Sequence, residues 1–491
     1  MPNNKNVYLN TAFAILFLAS PILASFFTPV PTFLYLLSFF GAAFFIFKYP
    51  ESGLYSAIFL TVIFAHHFTL QSLAIGSESY KIYPLDIVLI LTSFSFIFNQ
   101  ARNRKETKFN FCFLDLSIIF FALIVLIYFL ASFYTSGVDL AISFSAFKNY
   151  SFYAFTYFLI TFIITQKKQF SDFISVFQFT TFLLVGFVIA GLIRGEGIWT
   201  EYNPLSTEGT RYLSFPHSFY LSLAICLNIP LFFYSVKSAI IPMSLVWVQF
   251  VGILSSLMRH IWISLSVGLF YIWFTLYKKE KERWQYFIRK NGGAFLMLAS
   301  IALLVFWLFP FWEGTSEVKT KSEPLINRVL SFLESPREDP SVNWRLAVWE
   351  LAQKNFIANP WLGIGFGQSM LLVIGDYREI IFTRDFHNSI LVLLINMGLL
   401  GFGFFCLING VVIYYLYKIL KEQQEYFPYS VGITGMYIVF LLSSLWQPYF
   451  ETNFTGIFFW VILGLIRFIA FCHPERSEGS CMRKDSSLRS E

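Results

Sequence analysis

Long apolar runs broken by short polar or basic turns set the pattern of this chain from residue 9 to residue 471. A helix crossing a bilayer core of about 30 Å needs about 20 mostly apolar residues, each rising about 1.5 Å. Fourteen stretches fit that requirement, near 9–28, 31–47, 54–74, 83–99, 113–134, 150–165, 172–193, 213–235, 239–256, 260–277, 294–312, 386–417, 428–446 and 453–471. The run from 239 to 277 must fold back on itself, because one helix of that length would be about 58 Å long. Met258, Arg259 and His260 mark the tip of the resulting hairpin. Two polar segments exceed a simple turn, 194–212 and 313–386. In the second, SVNWRLAVWELAQKNFIANP places Trp344, Val348, Leu351, Ala352 and Phe356 at helical spacing. This predicts an amphipathic helix lying on the membrane, capped by Ser341 or Asn343 and stopped at Asn359-Pro360.

Composition narrows the class. Apolar residues make up 56% of the 491 and charged residues only 13%, which excludes a soluble enzyme. The 63 Phe, 26 Tyr and 12 Trp exclude disorder and coiled coil as well. The expected fold is an all-α, polytopic integral membrane protein with about 14 transmembrane helices and a late helical extracytoplasmic segment. A net charge of +6 would suggest nucleic acid in a soluble chain, but here the basic residues sort by membrane side. With both termini inside, the inner segments hold 22 of the 35 Lys and Arg and the short outer loops hold 5, Lys81, Lys148, Arg194, Arg211 and Arg259. That is the positive-inside asymmetry, and nucleic acid drops out as a partner. The apolar run after Lys5 reads as an uncleaved first span rather than a signal peptide. The five cysteines, at 112, 226, 406, 472 and 481, fall in spans or inside, so no outer disulfide is expected. Three regions result: N-terminal helices over 1–193, a region over 194–471 that includes outer segment 313–386, and a polar, disordered cytoplasmic tail over 472–491.

Outward chemistry has to draw on the two long segments and the hairpin tip. In FTRDFHNSILVLLINMGLLG, Asp385 can cap the next span and place His387 in its first turn, where the helix dipole favours a neutral imidazole. Such a histidine suits a general base; the plain alternative is an interfacial anchor. Arg211, Arg259, Arg345 and Arg384 all face outward, and arginine is the side chain best matched to phosphate. Each alone could simply bond lipid headgroups. Gly363, Gly365 and Gly367 permit tight turning and close backbone approach, but they lack the Lys-Ser/Thr of a phosphate-binding loop. His66 and His67 have no partner at ligand spacing, and no Asp/Glu cluster in the outer segments suggests a metal or another cofactor.

Taken in order, Arg345, Trp349, Pro360, Gly363, Ile364, Gly365, Gly367, His387, Asn388, Gly398 and Gly401 resemble the O-antigen ligase and polymerase superfamily of bacterial envelope glycosyltransferases. The resemblance runs from about 194 to 402. Arg211 with Pro216 and Arg259 are similar to further family arginines, while Met258, His217 and Asn396 depart from the family's usual residues. The resemblance implies a multi-pass protein of the bacterial inner membrane with its active site on the periplasmic side. It implies a metal-independent transfer from a polyprenyl-diphosphate-linked glycan donor to a glycolipid or glycan acceptor within membrane lipid. His387 would be the base, and Arg345, Arg259 and Arg211 would hold the diphosphate. An O-antigen ligase attaching polysaccharide to lipid A core is favoured over an O-antigen or exopolysaccharide polymerase. A flippase or exporter of lipid-linked sugars is the alternative from another class, but it would be expected to show repeated halves and midplane charges, and neither is evident in the sequence.

Overall fold

A computed structural model of the chain describes residues 4–25, 32–65, 68, 73–74, 81–103, 111–194, 213–234, 243–287, 289, 340–422 and 425–471. These residues are overwhelmingly helical. Among them, nine helices are long and apolar enough to cross a membrane, and three shorter apolar helices accompany them. Every stretch expected to span contains a helix except 294–312, which lies outside the described residues.

The first helices are α1 (Asn4–Ser25), α2 (Thr32–Lys48), α3 (Pro50–Phe64), α4 (Pro84–Asn103) and α5 (Phe113–Ser132). The third is shorter than the 54–74 expectation. A nearly continuous helical stretch follows: α6 (Leu140–Phe147), one π-helical turn (Lys148–Phe152) and α7 (Phe155–Ile163). It begins ten residues before the span expected at 150 and so draws Lys148 off the outer loop into the bundle, where the residue is 5% exposed. Then come α8 (Lys167–Arg194), α9 (Phe215–Tyr234), α10 (Met243–Ser255) and α11 (Arg259–Lys279). The hairpin tip lies at 256–258, two residues before the expected Met258, Arg259 and His260.

Lipid-facing and central helices separate by burial. The apolar windows of α9, α14 (Phe427–Ser444) and α15 (Asn453–Phe471) are 78%, 72% and 83% buried, whereas those of α5 and α11 are 33% buried and expose Phe120, Ile127, Phe270 and Phe274. Hydrophobicity cannot drive helix association inside lipid, so close approach at small residues has to. Gly432 and Gly435 of α14 supply it: a Cβ at Gly432 would stand 2.9 Å from the Leu227 Cα of α9.

The spans, nearly free of ionisable groups by sequence, hold two buried ion pairs. Asp86 pairs with Lys148 and accepts from the Tyr153 hydroxyl at 2.7 Å. Near the opposite end, Asp115 receives Arg467 bidentately, at 2.7 Å from Nε and 2.8 Å from a terminal nitrogen. Both pairs tie together helices distant in sequence. A buried charge is tolerable only when paired in this way.

The late segment is partly β, where a helical segment was expected. Helix α12 (Pro340–Ala358) is followed by an antiparallel hairpin, β1 (Ser369–Ile374) and β2 (Tyr377–Phe382), with Leu371 opposite Ile380. Proline in the first position starts α12, so Ser341 and Asn343 lie inside the helix rather than capping it. The apolar face of α12 packs against protein. Val348 and Ala352 are fully buried against Leu372, Ile381, Phe386, Val392 and Ile395, which come from the hairpin and from α13 (Ser389–Glu422). The amphipathic pattern was therefore correct and its counterpart was the hairpin. Residues 313–339, the 472–491 tail and the His66-His67 pair lie outside the described residues.

Candidate functional site

Two of the three expected glycines, Gly363 and Gly365, dock the late segment against a break in α13. Gly398, inside that helix, has φ 59° and ψ −164°, and it interrupts the hydrogen-bond ladder. The chain at 360–365 fills the gap: Ile364 N–H donates to Ile395 O and Gly365 N–H to Asn396 O, both at 2.9 Å. In return Leu399 N–H reaches Pro360 O at 2.8 Å and Leu400 N–H reaches Trp361 O at 3.1 Å. No side chain fits there, since a Cβ at Gly363 would stand 2.3 Å from Ile395 O. Gly367 docks in the same way against Asp139, whose N–H donates to its carbonyl at 3.0 Å. The glycines therefore fix where α12 sits.

That placement brings Arg345 to His387. Helix α12 is clamped over the histidine by two tryptophans. Trp344 meets the imidazole edge-on with centroids 5.5 Å apart, and Trp349 Nε1 donates to Phe386 O at 3.4 Å. Burial holds the His387 pKa below its ordinary value, and the Arg345 guanidinium pushes it the same way, against the Gln447 hydrogen bond and Asp385. The imidazole is thus neutral near pH 7. Its Nδ1 lies 2.8 Å from Gln447 Oε1. With that carbonyl accepting, Nδ1 carries the proton and Nε2 keeps a free lone pair.

The expected reason for neutrality changes. Asp385 sits in a 3₁₀ turn, Thr383–Asp385, and accepts from Phe382 N–H, so it does not cap the span. Asn388 does, accepting from Leu391 N–H at 3.0 Å. His387 lies just outside the helix with φ 52°, a left-handed conformation costing a non-glycine residue roughly 1–2 kcal/mol. Desolvation is the largest influence on its charge.

Arg259 opens α11, with its Nε shielded from solvent. Its neighbour His260 reaches the Tyr449 hydroxyl at 3.1 Å through Nε2. His260, the residue after Arg259, and His387 therefore attach to the same short turn, the one between α14 and α15, through Tyr449 and Gln447. Arg384 is half-exposed and pairs with Asp385 at 3.6 Å. Arg211 lies outside the described residues. His217, one of the departures from the family pattern, is buried with Nδ1 3.0 Å from Ser214 Oγ and Nε2 3.1 Å from Ile63 O.

The turn itself escaped the sequence reading. WQPYFET, between two spans, supplies Gln447 to His387 and Glu451 to Ser389 and Tyr150. A glutamine and a glutamate around a proline in a short turn were the available signal, but nothing in their spacing points to residues about 60 positions earlier.

Residues 244–406 match the O-antigen ligase family, which bears out the resemblance read from the ordered Arg-Gly-His residues. The match contains Arg259, Arg345, the glycines and His387. A protein of Rickettsia prowazekii (strain Madrid E), named as a polysaccharide ligase, is 29% identical over 144 residues. That alignment covers 26% of this chain and 33% of the relative, so the chain spans about a third of the relative's length.

Proposed function

We propose that this chain is a membrane glycosyltransferase that moves a glycan from a polyprenyl diphosphate carrier to an acceptor hydroxyl, and that it acts as an O-antigen ligase on lipid A core. The observation that carries the reading is the juxtaposition of a neutral His387 with Arg345, inside the stretch similar to O-antigen ligases. In the proposed reaction the acceptor oxygen forms a bond to the sugar anomeric carbon while its proton passes to His387 Nε2. The bond from that carbon to the diphosphate oxygen breaks, and the electron pair leaves with the diphosphate. Arg345 and Arg259, with Arg211, would meet the developing negative charge, as a metal ion does in other transferases. Arg345 then has two effects, since its charge also disfavours protonation of the base before turnover. The donor would enter from the membrane, with the site on the periplasmic side of the inner membrane.

A deletion strain tests this on a gel of envelope glycolipids. Ligase activity requires core glycolipid with no polymer attached, together with polymer accumulating on the polyprenyl carrier. Core bearing a single repeat unit would identify a polymerase instead. An unchanged profile would overturn the lipid A core acceptor.

A further inference from the structure

We infer that Glu451 is a positioning residue for the transfer, one that sets the base through the turn carrying Gln447. The inference rests on the reading of His387 as base. The Glu451 carboxylate accepts from two hydroxyls, one on each oxygen: Tyr150 from the π-helical turn and Ser389 from the first position of α13. Ser389 also closes the turn upon itself, accepting from Phe450 N–H at 3.2 Å and lying 3.3 Å from Gln447 O. Gln447 in turn holds His387 Nδ1. One carboxylate thus joins three elements at the residue two places after the base and at the base's own hydrogen-bond partner.

The charge state of Glu451 decides how well that junction holds. An ionised carboxylate accepts both hydroxyls strongly; a protonated one carries a hydrogen on one oxygen, so one of the two contacts has to weaken or reverse its direction. Among the described residues no cation contacts the carboxyl, and the groups acting on it are Ser389, Tyr150 and its own backbone N–H. Burial outweighs all three and pushes the carboxyl up to about 7. Above that pH the junction is complete and His387 is aimed; below it the turn loosens and the imidazole drifts. A displacement of this kind reduces turnover without altering contacts to the donor.

The test uses full-length protein in detergent, with the polyprenyl-linked glycan and core glycolipid extracted from the deletion strain. Wild type should show kcat rising through an ascending limb centred near pH 7. Glu451→Gln keeps the shape but offers one acceptor, so its kcat should be about tenfold lower and flat across neutral pH, with KM for the donor unchanged. Ser389→Ala and Tyr150→Phe each remove a donor that stabilises the carboxylate, so each should move the limb to higher pH; these two decide the matter if Glu451→Gln fails to insert. A limb that stays in place in both, or a Glu451→Gln variant with wild-type kcat and profile, overturns the inference while leaving the base intact. His387→Ala run in parallel separates the two readings: retained transfer there removes the base, and the positioning role with it.

Discussion

Adding one methyl group at Gly363 should undock the outer segment. The residue has φ 70°, which costs an alanine roughly 1–2 kcal/mol. Its Cβ would stand 2.3 Å from Ile395 O, a backbone atom that cannot swing aside as a side chain tip can. Relieving that contact pulls apart the two adjacent hydrogen bonds, from Ile364 N–H and Gly365 N–H, worth about 1 kcal/mol each. A total of about 3 kcal/mol raises the undocked population on the order of a hundredfold. Limited proteolysis of the outer segment measures that population, because cleavage of a transiently opened region follows its equilibrium when opening is fast. Three companions calibrate the result. Gly398→Ala attacks the same docking from the helix side, its Cβ falling 2.4 Å from Trp361 O, so the double variant should be little worse than either single. Gly365→Ala has φ 84° and open space around it, so it should show only the smaller strain cost. Gly403→Ala, in regular helix and open space, should be silent. Transfer should fall with docking, since docking brings Arg345 to His387. If Gly363→Ala is no more protease-sensitive than Gly403→Ala, the docking account is wrong.

Other expectations follow from the same geometry. His387→Ala, Arg345→Ala and Arg259→Ala should each cut transfer by about 100-fold or more with normal membrane abundance, and Arg345→Lys should recover only part, because an ammonium lacks the bidentate fork; near-normal rates would remove the assigned roles. A chelator should leave the purified enzyme's rate unchanged, and strict dependence on a divalent cation would contradict the arginine account. Arg467→Met alone leaves Asp115 buried without its bidentate partner, so it should lower thermal stability by about 3–5 kcal/mol. The Asp115→Leu/Arg467→Met pair should recover most of that loss, and equal losses would show that the pair is not the origin. Reporter fusions at Lys281 and Lys421 should read cytoplasm and one at Asp376, in the hairpin turn, the outer side; an outer signal at Lys281 would invert the topology.

The sequence alone determined what depends on local composition and period. Apolar length placed nearly every helix within a few residues, because a span has to satisfy its backbone internally and match a fixed thickness. It also marked the hairpin tip beside Arg259 to within two residues, the 3.6-residue stripe of α12 and its stop at Asn359-Pro360, and glycines that allow close backbone approach, all properties readable within a dozen residues. Tertiary structure decided what each of these meets. The stripe of α12 could face lipid or protein equally well on period alone, and only the hairpin's position shows that Val348 and Ala352 are buried in protein. Asp385 and Asn388 are both good caps by residue type, and the left-handed backbone at His387 chose the second. Asp86, Asp115, Lys148 and Arg467 look costly one by one in an apolar chain; their pairing spans 62 and 352 positions, a separation that no periodicity encodes. Gln447 and Glu451 carry the same lesson into the site. Their roles exist only because α13, α14, α15 and the π-helical turn end at one level of the bundle, where a carboxylate can meet hydroxyls brought from two other elements.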